Sequence, residues 1–453
     1  MSDPNFLLIS VDSLRQDFCS FLNESEDTMN FLNDFAEEST VFERAISPSV
    51  WTLPVHTSIF TGLYPAEHQV NDENTVLGDH PTFAELLREV GYETRSFTHN
   101  GWFKSGGMTR GFEHDHTRMP GMIEYGISNI KQGIHDRNRS QFVKGTKQVL
   151  EAPLVKGRKA FFRHRFKGCR TVKNCFKRLE QRESPFCYIV HLNDVHHLYR
   201  PHIKYYRKFG DCGIRELHEN VRYQETLKQN RHEIYTGRYE IEQDRLSLTK
   251  DLYRASILQV DALIKRLIDR LKSLGEYENT VIVLFGDHGD LIGENGMFGH
   301  SYSLADELIR VPLLVHDPTD QLEEGRRRDV VQLNDLYPTI LEMTGLDVPE
   351  TNSVSLMDKS RESAFVHLLE STDNLKFPAS EYPPFEQYAI WRSPSSKFVY
   401  APEKDSRELV GDGDLGLTEE LDEHLKKLIK IPSENESELS SSTRTQLENM
   451  GYM

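Results

Sequence analysis

Thr280-Val281-Ile282-Val283-Leu284-Phe285-Gly286-Asp287-His288-Gly289 is the stretch whose reading decides the fold. Its first six residues form a near-continuous apolar run rich in β-branched side chains. A strand wetted on one face would alternate, so this one reads as buried on both faces. It stops on Gly-Asp-His-Gly, which sets a carboxylate and an imidazole at the strand's carboxyl end. Similar runs lie to either side. Phe6–Val11 ends at Asp12, Phe186–Leu192 ends at Asn193-Asp194, and Val311–Val315 is entered through Pro312. Helical patterns lie between them. Leu252–Leu274 spaces its apolar residues by three and four and is followed by Gly275. Thr82–Val90 is followed by Gly91, and a helix capped by Asn334 or Asp335 runs to Thr344 before Gly345. Buried strands alternating with amphipathic helices predict an α/β fold with a mostly parallel sheet covered on both faces. Ligands in such folds bind beyond the carboxyl ends of the strands. Three of these strands end in Asp or Asp-His.

The 453 residues are 37% hydrophobic and 28% charged, with a mean hydropathy of -0.57, which describes a water-soluble globular chain. No apolar run approaches the ~20 residues of a membrane span. The first residues lack the basic region and cleavage site of a signal peptide, so a cytoplasmic location is expected. Five cysteines (Cys19, Cys169, Cys175, Cys187, Cys212) form no C-x-x-C pair and read as reduced, mostly buried thiols. The net charge is -17, unevenly spread. Residues 131–182 hold 16 Lys/Arg against 3 Asp/Glu, leaving -30 on the remainder. An acidic body repels nucleic acid, and no motif here reads bases, so no nucleic-acid partner is expected. The basic segment includes Lys156-Gly157-Arg158-Lys159-Ala160-Phe161-Phe162-Arg163. It reads either as a solvated helical face or as a lid that gathers anions. Residues 1–349 are expected to form the catalytic domain, with a basic helical insertion at about 125–183. Residues 350–453, richer in Ser, Glu and Pro, are expected to form a smaller α+β subdomain and a tail. The strand-like runs there are Tyr388–Trp391 and Lys397–Tyr400.

The segment Ser47-Pro48-Ser49-Val50-Trp51-Thr52-Leu53-Pro54-Val55-His56, continuing to Thr61-Gly62-Leu63-Tyr64-Pro65, resembles the signature of the sulfatase family. That signature is Cys/Ser-x-Pro-x-Arg, then a helix and Thr-Gly-x-Tyr-Pro. Thr52 stands at the nucleophile position and His56 at the arginine. Further similarities follow in order: Asp12-Ser13 with the first metal-binding strand end, Asp194-Val195-His196 with Asp-Pro-His, and Asp287-His288-Gly289 with Asp-His-Gly. His300 stands where the family has a lysine. Arg310-Val311-Pro312, Asp335-Leu336-Tyr337-Pro338-Thr339 and the terminal Leu447–Tyr452 continue the series.

The resemblance implies an alkaline-phosphatase-like three-layer αβα sandwich and a hydrolase of sulfate, phosphate or phosphonate esters. It implies one divalent ion held by Asp12, Asp287 and His288. Two carboxylates and one imidazole favour Mn²⁺ or Zn²⁺, with Ca²⁺ or Mg²⁺ as alternatives. Ser13, where many members carry a second Asp, would be a weak ligand and tilts the likeness toward the phosphonate- and phosphodiester-cleaving branch. The plainer reading of Asp287-His288-Gly289 is a turn. Thr52 would be the covalent nucleophile. Threonine cannot be oxidised to the aldehyde that becomes formylglycine, so none is expected. His56, four residues into a helix beginning at Thr52, would share its face and hydrogen-bond the nucleophile or an ester oxygen. His196 and His300 would bind the anionic group and assist the leaving oxygen, Asn74 and Asn100 would line the pocket, and His197 and His202 would serve nothing catalytic. The substrate would be an anionic sulfate or phosphate ester, on a glycan or a lipid headgroup among other carriers. The other readings are a transferase moving a phospho-headgroup or sulfate through a Thr52 ester, and a non-catalytic binding protein.

Overall fold

The computed structural model describes residues 3–72, 75–113, 167–182, 185–357, 361–373, 375–411, 416–429 and 434–435. Asn74, most of the basic segment and the terminal Leu447–Tyr452 lie outside the described residues.

Seven strands form the central sheet: β1 (Asn5–Val11), β2 (Thr40–Ile46), β3 (Glu93–Phe97), β4 (Phe186–Leu192), β5 (Thr280–Gly286), β6 (Leu313–His316) and β7 (Gly325–Gln332). Their order is β7-β2-β6-β5-β1-β4-β3. Neighbours are parallel except at β6, which runs antiparallel to both β2 and β5. The strand expected to start at Val311 starts at Leu313 instead. Pro312 has no N–H to give a ladder, and its carbonyl accepts from the Gly286 N–H at 3.1 Å.

Among the described residues, the helices that cover the sheet include α1 (Asn30–Ala36), α2 (Thr52–Thr61), α3 (Phe83–Glu89), α4 (Lys167–Leu179), α5 (Gln243–Leu274) and α6 (Leu336–Met343). β1 shows why the sandwich has three layers. Leu7, Ile9 and Val11 join one core with Val172 and Leu179 of α4 and Val260, Ile264 and Leu267 of α5. Phe6 and Leu8 join the opposite core with Ile59 and Phe60 of α2, Leu87 of α3 and Ile340 of α6. Both faces of the strand are dry, so its sequence shows no alternation. The α/β sandwich read from the sequence is the observed architecture.

α5 begins nine residues before the periodic pattern that reveals it. Its first turns, Gln243-Asp244-Arg245, are polar, yet Leu246 and Thr249 are already buried. Midway along α5, Asp261 accepts from the Phe31 and Leu32 N–H groups at 3.0 and 2.9 Å. Met29 leads α1 without a side-chain cap, so a residue of α5 satisfies α1's first-turn donors. Asp261→Ala should therefore destabilise the fold by about 1–2 kcal/mol. The expected readout is a lower urea midpoint at an unchanged slope.

Beyond residue 357, β8 (Ala364–Leu369), β9 (Glu386–Ser393), β10 (Ser396–Ala401) and β11 (Ser406–Gly411) form a four-stranded antiparallel sheet. α7 (Gly416–Lys427) lies on it, with Leu417 and Leu421 packed against Phe365, Ile390 and Phe398. Tyr64, from the loop after α2, joins that cluster and ties the smaller sheet to the catalytic layer. All five cysteines are free thiols. Among the described residues no helix is long and apolar enough to cross a membrane.

Candidate active site

Register brings the functional groups together. β1 pairs Ser10 with His191 of β4 and Val11 with Gly286 of β5. The residues that follow these strands, Asp12, Asn193 and Asp287, therefore emerge side by side. α2 starts over the same sheet end, with Thr52 as its first residue and fully buried. Its hydroxyl lies near the Asp287 carboxylate, whose acidity it favours, and accepts from the Asn100 Nδ2 at 3.5 Å.

Asp12, Asp287 and His288 each offer a ligand atom within 4.8 Å of the other two. The His288 Nδ1–H donates to the Gly289 carbonyl at 2.8 Å, so the lone pair sits on Nε2. Nε2 is buried with no hydrogen-bond partner, 3.6 Å from Asp12 Oδ1 and 3.7 Å from Asp287 Oδ2. Three acceptors facing one another in a dry site fit a bound cation and little else. The acidities say the same. Burial works to raise Asp12, but the neighbouring His196, His191 and His288 rings and a hydrogen bond with His191 hold it well below the carboxylate range. Burial and the Asp12 charge push Asp287 well above that range, against donors from Ser13, His288 and Thr52. Two adjacent buried carboxylates cannot both ionise cheaply unless a cation joins them. Burial, helped by His300, pulls His288 down to about 4, which keeps it a neutral ligand.

Ser13, expected as a weak ligand, bonds both carboxylates of the cluster. With φ at 60° it turns its N–H toward Asp287 Oδ1 at 3.1 Å, and its hydroxyl donates to Asp12 Oδ1 at 3.2 Å. Tyr253 braces that strained turn by donating to the Ser13 carbonyl at 2.7 Å. Gly289 closes the opposite side. A Cβ there would sit 1.8 Å from the Glu307 carbonyl oxygen, so only glycine lets this loop lie down.

His56 departs from the sequence expectation in what it bonds. Its ring lies beneath Thr52 and meets the Thr52 backbone carbonyl through Nδ1 at 3.0 Å and the Ser10 hydroxyl through Nε2 at 3.0 Å. Burial and the neighbouring His191 hold its pKa well below the usual value, so it carries one proton. A carbonyl only accepts, so that proton is on Nδ1. Ser10 then donates to His56 and accepts from the His191 Nδ1–H at 3.0 Å. The chain pins the first turn of α2 to β1 and β4. His191 Nε2 faces Asp12 Oδ2 at 3.3 Å, and Asn100 and Asn193 donate to the same carboxylate oxygen at 3.3 and 2.5 Å.

His196 and His300 meet across the pocket with ring centroids 5.3 Å apart. Asp290 stands behind them, accepting from the His300 Nδ1–H at 2.9 Å, the His197 Nδ1–H at 3.3 Å and the Tyr199 hydroxyl at 2.7 Å. Burial would lower the His300 pKa, but the hydrogen bond and charge of Asp290 win and raise it. Burial beside His197 instead pulls His196 well down. Of the two, His300 is the one poised to carry a proton. Asp290→Asn should lower the His300 pKa, because the imidazolium loses its counter-charge. The alkaline limb of the kcat/KM profile should then move to lower pH, with kcat falling on the order of 10²-fold. A pH–rate series on the variant is the check.

The proposed ligands, Thr52, His56, His196, His300 and Asn100 all converge on this one sheet end. Sequence reading missed Ser10, His191, Asn193 and Asp290 and set His197 aside. Asp290 closes the Asp-His-Gly-Asp run and was visible as a carboxylate three residues after Asp287. Ser10 and His191 looked like ordinary strand residues, and only register reveals them. His202 lies away from the pocket, its ring capping a short turn through the Lys204 N–H.

The sulfatase family model matches residues 4–346. The chain is 23% identical over 357 residues to an uncharacterised sulfatase of Escherichia coli K12, YidJ, spanning 77% of this chain and 69% of that protein. Its backbone is similar to the phosphonate monoester hydrolase of Silicibacter pomeroyi, with a TM-score of 0.70 at 17% identity over 93% of this chain and 94% of that one. The phosphonate monoester hydrolase of Agrobacterium radiobacter superposes with a TM-score of 0.67 at 17% identity, covering 90% and 89% of the two chains. Likeness at this level of identity speaks for the fold alone.

Proposed function

The chain belongs to the sulfatase family, and from that membership we propose that it is a metal-dependent hydrolase of sulfate, phosphate or phosphonate esters whose covalent catalyst is unmodified Thr52. One observation carries the reading: a threonine hydroxyl at the first residue of α2, beside the Asp12–Asp287–His288 cluster. The divalent ion implied by the family would be held by Asp12, Asp287 and His288, with Mn²⁺ or Zn²⁺ favoured by the donor set. When bound it would supply charge for the nonbridging ester oxygens and acidify the Thr52 hydroxyl.

The residues of the chain do the rest. The N-terminus of α2 offers partial positive charge to the anionic group. Thr52 Oγ, its proton already released to solvent, bonds to sulfur or phosphorus as the bond to the leaving oxygen breaks. His300, held by Asp290, gives that oxygen its proton. The same imidazole then takes a proton from the water that cleaves the threonyl ester, restoring the protonated His300 and the ionised Thr52 oxygen and releasing the acid. His56 and Ser10 hold the Thr52 turn in place without touching substrate. A threonyl ester cannot leave by carbonyl collapse, which supports phosphorus over sulfur as the preferred centre. The test is a panel of aryl sulfate, phosphate monoester, phosphodiester and phosphonate monoester substrates, each with Mn²⁺, Zn²⁺, Mg²⁺ and Ca²⁺. The expected result is a higher kcat/KM on phosphorus esters, with Mn²⁺ or Zn²⁺. Faster cleavage of the aryl sulfate would overturn the preference for phosphorus.

A further inference from the structure

We propose that His196, His197 and His300 form a second divalent-cation site, of the zinc-binding kind, next to the Asp12–Asp287–His288 cluster. A ring nitrogen from each of the three lies within 4.8 Å of the other two. Their ring centroids are 4.1 Å (His196–His197), 5.3 Å (His196–His300) and 5.4 Å (His197–His300) apart.

The hydrogen bonds behind the rings set their tautomers. His196 Nδ1 meets the His197 carbonyl at 2.5 Å, and His197 Nδ1 and His300 Nδ1 meet opposite oxygens of Asp290 at 3.3 and 2.9 Å. Carbonyl and carboxylate oxygens only accept, so every Nδ1 carries hydrogen. In the neutral rings the lone pairs are therefore on Nε2. Asp290 is itself buried and fixed by the Tyr199 hydroxyl at 2.7 Å. A carboxylate holding one ring nitrogen so that the other faces a metal is the arrangement that orients histidine ligands and raises their basicity. Three imidazoles with no carboxylate among them suit Zn²⁺ and exclude Ca²⁺ and Mg²⁺, which take oxygen. The rings are 6%, 9% and 12% exposed, so an ion there keeps a position open toward the pocket.

Charge favours the same conclusion. Asp12, Asp287 and Asp290 are three buried carboxylates in one pocket. One divalent ion leaves that trio negative before an anionic ester arrives, whereas a second makes the pocket positive and receptive. The His288 and His300 rings, one from each cluster, have centroids 4.6 Å apart, so both ions would flank one substrate. Zn²⁺ on His300 Nε2 would take the place of the proton that this nitrogen carries in the reading above, and the ion would then steady the leaving oxygen instead. The site does not depend on Thr52 being the nucleophile.

Chelator-stripped full-length protein, dialysed against Zn²⁺ and assayed for metal, gives the test. Wild type should hold two equivalents. Asp287→Asn should keep one, and His197→Gln, which alters no residue assigned a step above, should also keep one, with affinity for the other lowered roughly 10- to 100-fold. X-ray absorption on the fully loaded wild type should count two imidazoles per zinc on average, and this needs no variant to fold. A single equivalent that vanishes in Asp287→Asn, with one imidazole per zinc, would overturn the second site and leave the first. A single equivalent that survives Asp287→Asn but not His197→Gln would support the three-histidine site and overturn the Asp12 site instead. Two equivalents retained at full affinity in His197→Gln, or no zinc in wild type, would overturn the proposal.

Discussion

Asp287→Asn is expected to lose the divalent ion of the Asp12 cluster and nearly all turnover. The amide keeps an oxygen for the Ser13 and His288 N–H groups, so the loop geometry survives and only the charge is removed. A metal's charge stabilisation is worth several kcal/mol. At about 1.4 kcal/mol per factor of ten, the loss in kcat/KM should be on the order of 10³-fold or more. The same substitution relieves the repulsion that pushes Asp287 so far up. The stripped variant should therefore melt at or above the stripped wild type, while losing the rise in Tm that added Mn²⁺ or Zn²⁺ gives the parent through this site. Calorimetry with and without metal, beside a turnover assay, separates these effects. Normal turnover with full occupancy at the Asp12 cluster would sink the assignment.

Thr52→Ala should abolish turnover while the metal stays bound, because Asp12, Asp287 and His288 are untouched. Removing a covalent nucleophile costs on the order of 10⁴-fold or more in kcat. His300→Ala, incubated with substrate and quenched, should accumulate Thr52 carrying the transferred group, since the second displacement loses its base. Intact mass of the parent should show no oxidation at Thr52. Near-parental activity in Thr52→Ala would exclude covalent catalysis here and favour direct attack by water. A companion variant, Thr52→Cys co-expressed with a formylglycine-generating enzyme, should gain aryl sulfatase activity if threonine is what steers the site toward phosphorus.

The fold was legible because β1, β4 and β5 are dry on both faces and announce themselves as unbroken apolar runs. Asp12, Asp287 and His288 were legible for the same reason, since polar residues stand out where such runs stop. Other features left no local signal. The first two turns of α5 are mostly polar and exposed, with only Leu246 and Thr249 buried, so the periodic pattern began too late. Ser10 and His191 sit inside strands, and their roles exist only because parallel register sets them side by side under His56. The position of His56, one helical turn after Thr52, suggested a hydrogen bond to the nucleophile or an ester oxygen. The ring instead bonds the Thr52 backbone carbonyl and the Ser10 hydroxyl beneath it. His197 was discounted as a spare histidine, although Asp290 holds it just as it holds His300.

The place of β1 in the sheet has a consequence for how the chain is made. Its two neighbours are residues 186–192 and 280–286, so the strand bearing Asp12 is flanked on both sides by segments synthesised much later. Ribosomes add about 5–20 residues per second, so its second edge waits on the order of a quarter-minute to a minute for a partner. Through that interval a dry, hydrogen-bond-hungry ribbon is exposed, the kind of edge that chaperones shield and aggregates recruit. Asp12 and Asp287 first meet when the centre of the sheet closes. Under the proposed chemistry, the pocket they share is therefore complete only late in translation.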